Sequence, residues 1–210
     1  MIQLNSVFGS ISKLWLAPFA MSALAVSAWA APTTLQNMQT AFNGESNAHA
    51  RYQAFAKQAD SDGYGEVGSL FRAAARAEEI HAANHAAVIT KMGATPKANV
   101  APPEVKSTRE NLEAAIKGET YERDTMYPEF LTQARKDGNT SAVKSLNFAK
   151  TAEVEHAKLY SAALADLDHL KGSKSVTLFV CPVCGFTTRD ATLAKCPSCF
   201  TAKDKFEKVA

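Results

Sequence analysis

Apolar residues return at three- and four-residue steps along four long stretches of the chain, the period of helices with one face turned inward. The first stretch, about 33–60, puts Leu35, Met38, Phe42, Glu45, Tyr52 and Phe55 near one face. The second, about 65–92, aligns Val67, Phe71, Ala74, Glu78, His81, His85, Val88 and Met92. The third opens on Ser107 and Glu110, spaced as a capping box, and runs through Leu112, Ile116, Glu119, Glu122, Met126 and Phe130. Pro128 lies inside it, where a missing N–H predicts a kink or a lost backbone bond. The fourth, about 140–169, aligns Val143, Leu146, Ala149, Glu153, His156, Tyr160, Ala163 and Leu167.

"SDGYG" and "KDGNT" read as short turns joining the first helix to the second and the third to the fourth. "GATPKANVAPPEV" is too long for a turn and reads as a crossover. The second half also repeats the first. "NGES" matches "KGET", and "DGYGEVGSLFRAAARAEEIH" matches "DGNTSAVKSLNFAKTAEVEH" without a gap, superimposing Glu78 on Glu153 and His81 on His156. Two helical hairpins joined by a long crossover predict a mainly α fold, a four-helix bundle with approximate two-fold symmetry. After Gly172 the helical period stops, and the remaining sequence is short-stranded and turn-rich. The expected division is 1–30 as a leader, 31–171 as the bundle and 172–210 as a small module that needs a staple.

The polar residues on the apolar stripes are the chemical question. They are Glu45, Glu78 with His81, Glu119 with Glu122, and Glu153 with His156. Carboxylates gathered in one core repel one another and lose hydration, at several kcal/mol per ion as a rough scale, unless protons or cations hold them. One E-x-x-H says little. Two in aligned repeats, each preceded by a helix with one inward Glu, form the ligand pattern of a dinuclear carboxylate bundle. Oxygen ligands with one imidazole per metal suit iron or manganese. Glu122, three residues after Glu119, can project from the same face. His85 reads as a packed or rim histidine, and His49 and His169 as surface residues.

Cys181, Cys184, Cys196 and Cys199 have the spacing C-x2-C-x11-C-x2-C, which uses all four thiolates in one tetrahedral site rather than in two disulfides. Tetrahedral ligation by four sulfurs does not by itself separate zinc from iron. Gly185 permits a tight turn whose N–H groups can point at sulfur.

Composition excludes more than it assigns. With 46% hydrophobic and 21% charged residues and a formal net charge of +2, the chain carries neither a nucleic-acid footprint nor a polybasic membrane patch. Residues 14–28 form an apolar run after Lys13, followed by Ala28-Trp29-Ala30. This predicts a signal peptide cleaved after Ala30, a periplasmic or secreted location, and no membrane anchor after cleavage. The leader has no twin arginine, which points to the general secretion route, and no nearby cysteine for lipidation.

The segments "FNGESNAHARY", "AEEIH", "NLEAAIKGETYERDTMYP" and "AEVEH" resemble the four helix motifs of the rubrerythrins. "CPVCG" and "CPSC" resemble the rubredoxin-like tail of that family, so the likeness covers about 33–208. The resemblance implies a ferritin-like diiron bundle followed by a mononuclear iron site on Cys181, Cys184, Cys196 and Cys199. It implies that Glu78 and Glu153 bridge two irons, that Glu45 and Glu119 are terminal ligands, and that His156 holds one iron. His81 and Glu122 would be alternative ligands of the other iron, exchanged with oxidation state, and Tyr52 and Tyr127 would orient the carboxylates. The implied activity is reduction of hydrogen peroxide to water, with Glu122 as acid/base partner and electrons relayed through the tetrathiolate iron. An electron-donor redox protein is implied too, and export would put that donor outside the cytosol. The family also implies a homodimer in which the cysteine module of one subunit faces the diiron site of the other. Iron oxidation or storage, and a redox sensor or electron carrier, are the competing classes. Two departures stand out: the cysteine module has Phe200 after its fourth cysteine, where such loops have a small residue, with a short x11 spacing, and the leader departs from the family's usual cytosolic role.

Overall fold

Helix α1 spans Thr34–Ser61 and starts from a capping box in which Thr33 and Gln36 satisfy each other's backbone N–H groups. Gly63, at φ 79°, makes the left-handed turn into α2, Gly65–Lys91. The computed structural model describes residues 1–3 and 32–210, so all but the first three residues of the expected leader, and its cleavage site, lie outside the described residues. No helix among the described residues is long and apolar enough to cross a membrane.

The crossover is strapped along α1 rather than looping free. Gln39, Asn43 and Asn47, one per helical turn, exchange hydrogen bonds with the main chain at Thr95, Lys97, Asn99 and Ala101. Helix α3, Thr108–Tyr121, begins at the expected Ser107–Glu110 capping box. The repeat is visible in how the hairpins lock together. Asp62, in the first turn, accepts from Thr108 N and Oγ1, and Asp137, at the same place in the second turn, accepts from Thr34 N and Oγ1.

The third expected helix is interrupted. Five residues, Glu122–Met126, form a π-helical segment before α4 continues over Tyr127–Lys136. Tyr127 N–H reaches back five residues to Glu122 O. Pro128 follows at once; it has no N–H for the carbonyl four residues back, and its ring crowds that carbonyl. The widened turn takes the place of the kink the sequence predicts. Helix α5 covers Thr140–Ala165, capped by the Asn139 side chain. It stops short of the expected residue 169, because Asp166 and Asp168 put negative charge at the negative end of the helix dipole.

Beyond Gly172 come three short antiparallel strands in the order β2-β1-β3: β1 Leu178–Val180, β2 Thr187–Thr188 and β3 Glu207–Val209. The bundle interior has two apolar clusters. One holds Tyr52, Phe55, Leu70, Phe71, Leu112 and Tyr160 and takes in Leu178 and Val180 of β1; the other holds Met38, Ile89, Tyr127, Leu131 and Leu146. Along the chain, Glu45, Glu119 and Glu153 each fall between a residue of one cluster and a residue of the other. The acidic residues therefore form a polar layer at mid-bundle, closed by apolar packing above and below.

Candidate metal centre

Four fully buried carboxylates, Glu45, Glu78, Glu119 and Glu153, meet two fully buried imidazoles, His81 and His156, in that layer. They fall into two overlapping groups whose ligand atoms lie within 4.8 Å of one another. Glu45, Glu78, His81 and Glu153 form one, and Glu78, Glu119, Glu153 and His156 the other. Glu78 and Glu153 belong to both. This is the placement that bridging carboxylates need, with one histidine and one further carboxylate left for each position.

The layer is short of partners. Glu45 Oε2, Glu78 Oε1, Glu119 Oε2, both oxygens of Glu153 and His156 Nδ1 are buried without a hydrogen bond. Buried polar atoms are almost always satisfied, and a group of six orphans converging on one point is what a pair of cations would resolve. His81 Nδ1 lies 2.8 Å from Glu78 Oε2 and 3.2 Å from Glu153 Oε1, and His156 Nδ1 lies 2.9 Å from Glu153 Oε2. Oxygen-rich donors with one nitrogen per position fit iron or manganese.

Without cations, protons take their place. Burial, then the charges of Glu122, Glu78 and Glu153, push the Glu45 carboxyl well above its ordinary range. Burial and the Glu78 charge raise Glu119 to about 8. For Glu78 burial pulls upward as well, but the close approach and charges of His156 and His81 outweigh it and hold the carboxyl below its usual value. Burial disfavours protonated His81, yet Glu153 and Glu78 raise it to about 10, and Glu119, Glu153 and Glu78 overcome burial in the same way at His156.

The tyrosines are reciprocal across the repeat. Tyr52 of α1 donates to Glu119 Oε1 of α3 at 2.5 Å, and Tyr127 of α4 donates to Glu45 Oε1 of α1. Glu122 sits at the first position of the π segment, half-buried, outside both four-residue groups. Burial and the charges of Glu119, Glu153 and Glu78 hold its carboxyl well above the normal range, against the pull of Arg51.

Three contributors escape the sequence pattern. Arg51, its guanidinium 5.3 Å from the Tyr52 ring centroid, brings positive charge to the acidic layer. His85 takes the packed alternative and is tied to the site: it is fully buried, 2.7 Å from Ser145 Oγ and 3.3 Å from the Tyr127 hydroxyl. Burial and the charge of His81 lower it to about 3, so it is neutral. Thr187 reaches His156 from the cysteine module. His49 is half-buried and bonded to Ala75 O, whereas His169 is exposed as expected. The sequence does carry one signal for the π segment. Glu45 and Tyr52 are seven apart, but Glu119 and Tyr127 are eight apart, so the second repeat carries one extra residue there.

The cysteine module brings Cys181, Cys184, Cys196 and Cys199 together with their sulfurs within 4.8 Å of one another. The sulfurs of Cys181 and Cys199, and those of Cys184 and Cys196, are 3.4 Å apart, beyond the roughly 2.05 Å of a disulfide, and all four cysteines are free. A hydrogen bond from Cys184 and the N–H groups of Val183 and Cys184 hold Cys181 down to about 5, while burial raises Cys196 to about 11. The two knuckles are built alike: Gly185 N–H closes on Cys181 O, and Phe200 N–H closes on Cys196 O. Both residues have positive φ, 75° and 63°. Phe200 can carry a ring there because it opens to solvent, where Lys195 lies over it. Gly185 cannot. A Cβ at 185 would stand 2.3 Å from His81 Nε2.

That close approach joins the two sites within one chain, whereas the family resemblance implies a module facing the other subunit's site. His81 Nε2 donates to Cys184 O at 3.1 Å, and Asn84 Nδ2 donates to Val183 O at 2.9 Å. Farther out, Arg76 forks onto both oxygens of Glu207 at 2.6 and 2.8 Å, and Arg189 pairs with Glu66.

The comparisons with known proteins agree with this layout. The sequence matches the family model described as Rubrerythrin over residues 36–164, and the model described as Rubrerythrin, rubredoxin-like domain over residues 179–207. Nigerythrin of Nitratidesulfovibrio vulgaris is 40% identical over 184 residues, covering 87% of this chain and 90% of the relative. Rubrerythrin-2 of Clostridium acetobutylicum is 38% identical over 179 residues, covering 83% and 95%. A solved structure of nigerythrin in its fully reduced, all-ferrous state superimposes with a TM-score of 0.79 at 37% identity, over 92% of this chain and 97% of that one. The chain belongs to the rubrerythrin family, with a ferritin-like diiron domain followed by a rubredoxin-like domain.

Proposed function

We propose that this protein reduces hydrogen peroxide to water at the paired carboxylate–histidine site, with electrons arriving through the tetrathiolate site. The observation that carries the reading is the 3.1 Å hydrogen bond from His81 to the carbonyl of Cys184. A candidate ligand of one site is thereby joined to a candidate ligand of the other by one non-covalent step. Iron storage has no use for such a junction.

Two ferrous ions bound in the cage would supply the two electrons that, with two protons, convert one hydrogen peroxide into two waters. The side chains do the rest. Tyr52 and Tyr127 fix the carboxylates of Glu119 and Glu45. The apolar clusters on either side keep bulk water out. Glu122, whose carboxyl retains its proton far above the ordinary range, is placed to give and recover a proton beside Glu119. In this reading the chain is exported with cleavage after Ala30, forms a homodimer, and draws electrons from a small redox protein outside the cytosol.

The test is anaerobic reduction of the iron-loaded protein followed by one equivalent of hydrogen peroxide. Stoichiometric reoxidation of the bundle iron, and steady peroxide consumption with an artificial donor, are expected. Glu122→Ala should slow turnover by about 100-fold or more while leaving the iron content near wild type. Unchanged turnover removes the role given to Glu122, and no peroxide consumption by the wild-type protein removes the peroxidase reading. Recovery of the protein only from the cytosol on fractionation removes the export half.

A further inference from the structure

Thr187 belongs to the cysteine module, yet its hydroxyl lies 3.1 Å from Nε2 of His156 in the bundle, and both residues are fully buried. The same hydroxyl donates to Gly185 O at 3.0 Å. A hydroxyl has one proton; with that proton committed to Gly185, the oxygen can only accept from His156. Nε2 of His156 therefore carries the hydrogen, and Nδ1 is the nitrogen aimed at Glu153, Glu78 and Glu119. His81 is fixed to the same end by different means, since the carbonyl of Cys184 is an acceptor by nature. A single short stretch of the module, Cys184–Thr187, thus sets the orientation of both histidines.

We propose that Thr187 is a positioning residue for the bundle's cation site, acting through His156, so that the cysteine module completes the diiron site as well as feeding it electrons. A histidine that binds a metal through one nitrogen depends on the partner of its other nitrogen for tautomer and ring angle. Among the described residues the bundle supplies no such partner for either ring: the outer nitrogens of His81 and His156 find theirs across the module contact. The inference rests on the bundle holding two cations and does not require that peroxide be the substrate.

The experiment uses the full-length protein, with Thr187→Val to remove the hydroxyl at nearly constant volume and Thr187→Ser to restore it. Anaerobic titration with iron-57 in the ferrous state, followed by Mössbauer spectroscopy, separates sulfur-ligated iron from iron on oxygen and nitrogen. Thr187→Val should weaken binding of one bundle iron by about 10–100-fold and change its quadrupole splitting, with the sulfur-ligated iron retained. Thr187→Ser should return both towards wild type. Wild-type affinity and splitting in Thr187→Val overturn the proposal, and so does a Thr187→Ser protein as impaired as Thr187→Val, which would mark a packing role. If Thr187→Val does not accumulate, Thr187→Ala is read by the same criteria. A Thr187 effect on iron in a protein that consumes no peroxide upholds this inference while removing the function proposed above. A wild-type bundle that binds no ferrous iron overturns both.

Discussion

Gly185→Ala puts the contact between the modules to a quantitative test. Two costs are separable. At φ 75° an alanine pays the left-handed penalty of roughly 1–2 kcal/mol. The new methyl would also lie 2.3 Å from His81 Nε2 and 3.2 Å from the carbonyl oxygen of Ala77. Ordinary contact begins near 3.4 Å, so His81 or the knuckle must move by about 1 Å, which breaks the buried bond to Cys184. Leaving that pair unsatisfied costs about 1–3 kcal/mol, for a sum of roughly 2–5 kcal/mol. Gly172 is the internal control: its φ is 81°, and nothing lies within 4 Å of where its Cβ would be. Gly172→Ala carries the backbone cost alone. In a chain of this size about 2–4 °C of Tm accompanies each kcal/mol. Thermal unfolding at matched iron load should therefore place Gly185→Ala roughly 2–12 °C below Gly172→Ala. Re-reduction of the bundle iron through the tetrathiolate site should slow only in the Gly185 variant. If the two variants melt together and transfer electrons equally fast, the His81–Cys184 contact does not have the role given to it.

Two more predictions come from the charges. Chelating the bundle cations should leave a protein whose stability falls as pH rises from about 4.5 to 8. Glu119, raised to about 8, and His81, raised to about 10, both bind protons more tightly folded than unfolded, so folding loses that advantage as they deprotonate. Denaturant titrations across this range, with and without ferrous iron, check it; a metal-free protein that gains stability toward pH 8 contradicts the proton-for-cation exchange. Arg76→Ala removes a forked pair with Glu207 whose side chains are about one-third exposed, so it should cost only about 1 kcal/mol and lose its effect in high salt. Faster amide exchange in β3, at low salt, is the readout; identical exchange in both proteins contradicts a latching role.

The bundle is legible in the sequence because its signals are local and repeated. Apolar residues at helical spacing, two glycine turns and the aligned Glu78/Glu153 and His81/His156 pairs all lie within short windows of sequence. What stays hidden depends on residues far apart in the chain. His81 and Cys184 are 103 positions apart, and no spacing rule links them. Thr187 reads as an ordinary strand residue until β2 is laid against α5. Arg51 sits among polar residues of α1 and shows its purpose only once α3 and the π segment bring Glu119 and Glu122 near it. His85 reads as packed or rim, and spacing alone does not choose between them; Ser145 of α5 and Tyr127 of α4 enclose it and make it packed. The apolar period overextends α5 because it runs on to Leu167, while Asp166 and Asp168 oppose further turns.

The π segment has one further consequence. A bundle made of two identical hairpins would give its two cation positions identical surroundings, and nothing would decide which fills or discharges first. The surplus residue between Glu119 and Tyr127 breaks that degeneracy. It brings in Glu122, a carboxylate for which the first repeat, with Asn47 and Ala48 at the matching place, has no counterpart. Deleting one residue from Glu122–Met126 would restore an unbroken helix and, at roughly 100° per residue, swing Glu122 out of phase with Tyr127. The two positions would then lose this difference between them, and the molecule would trade part of an order of events for a more regular helix.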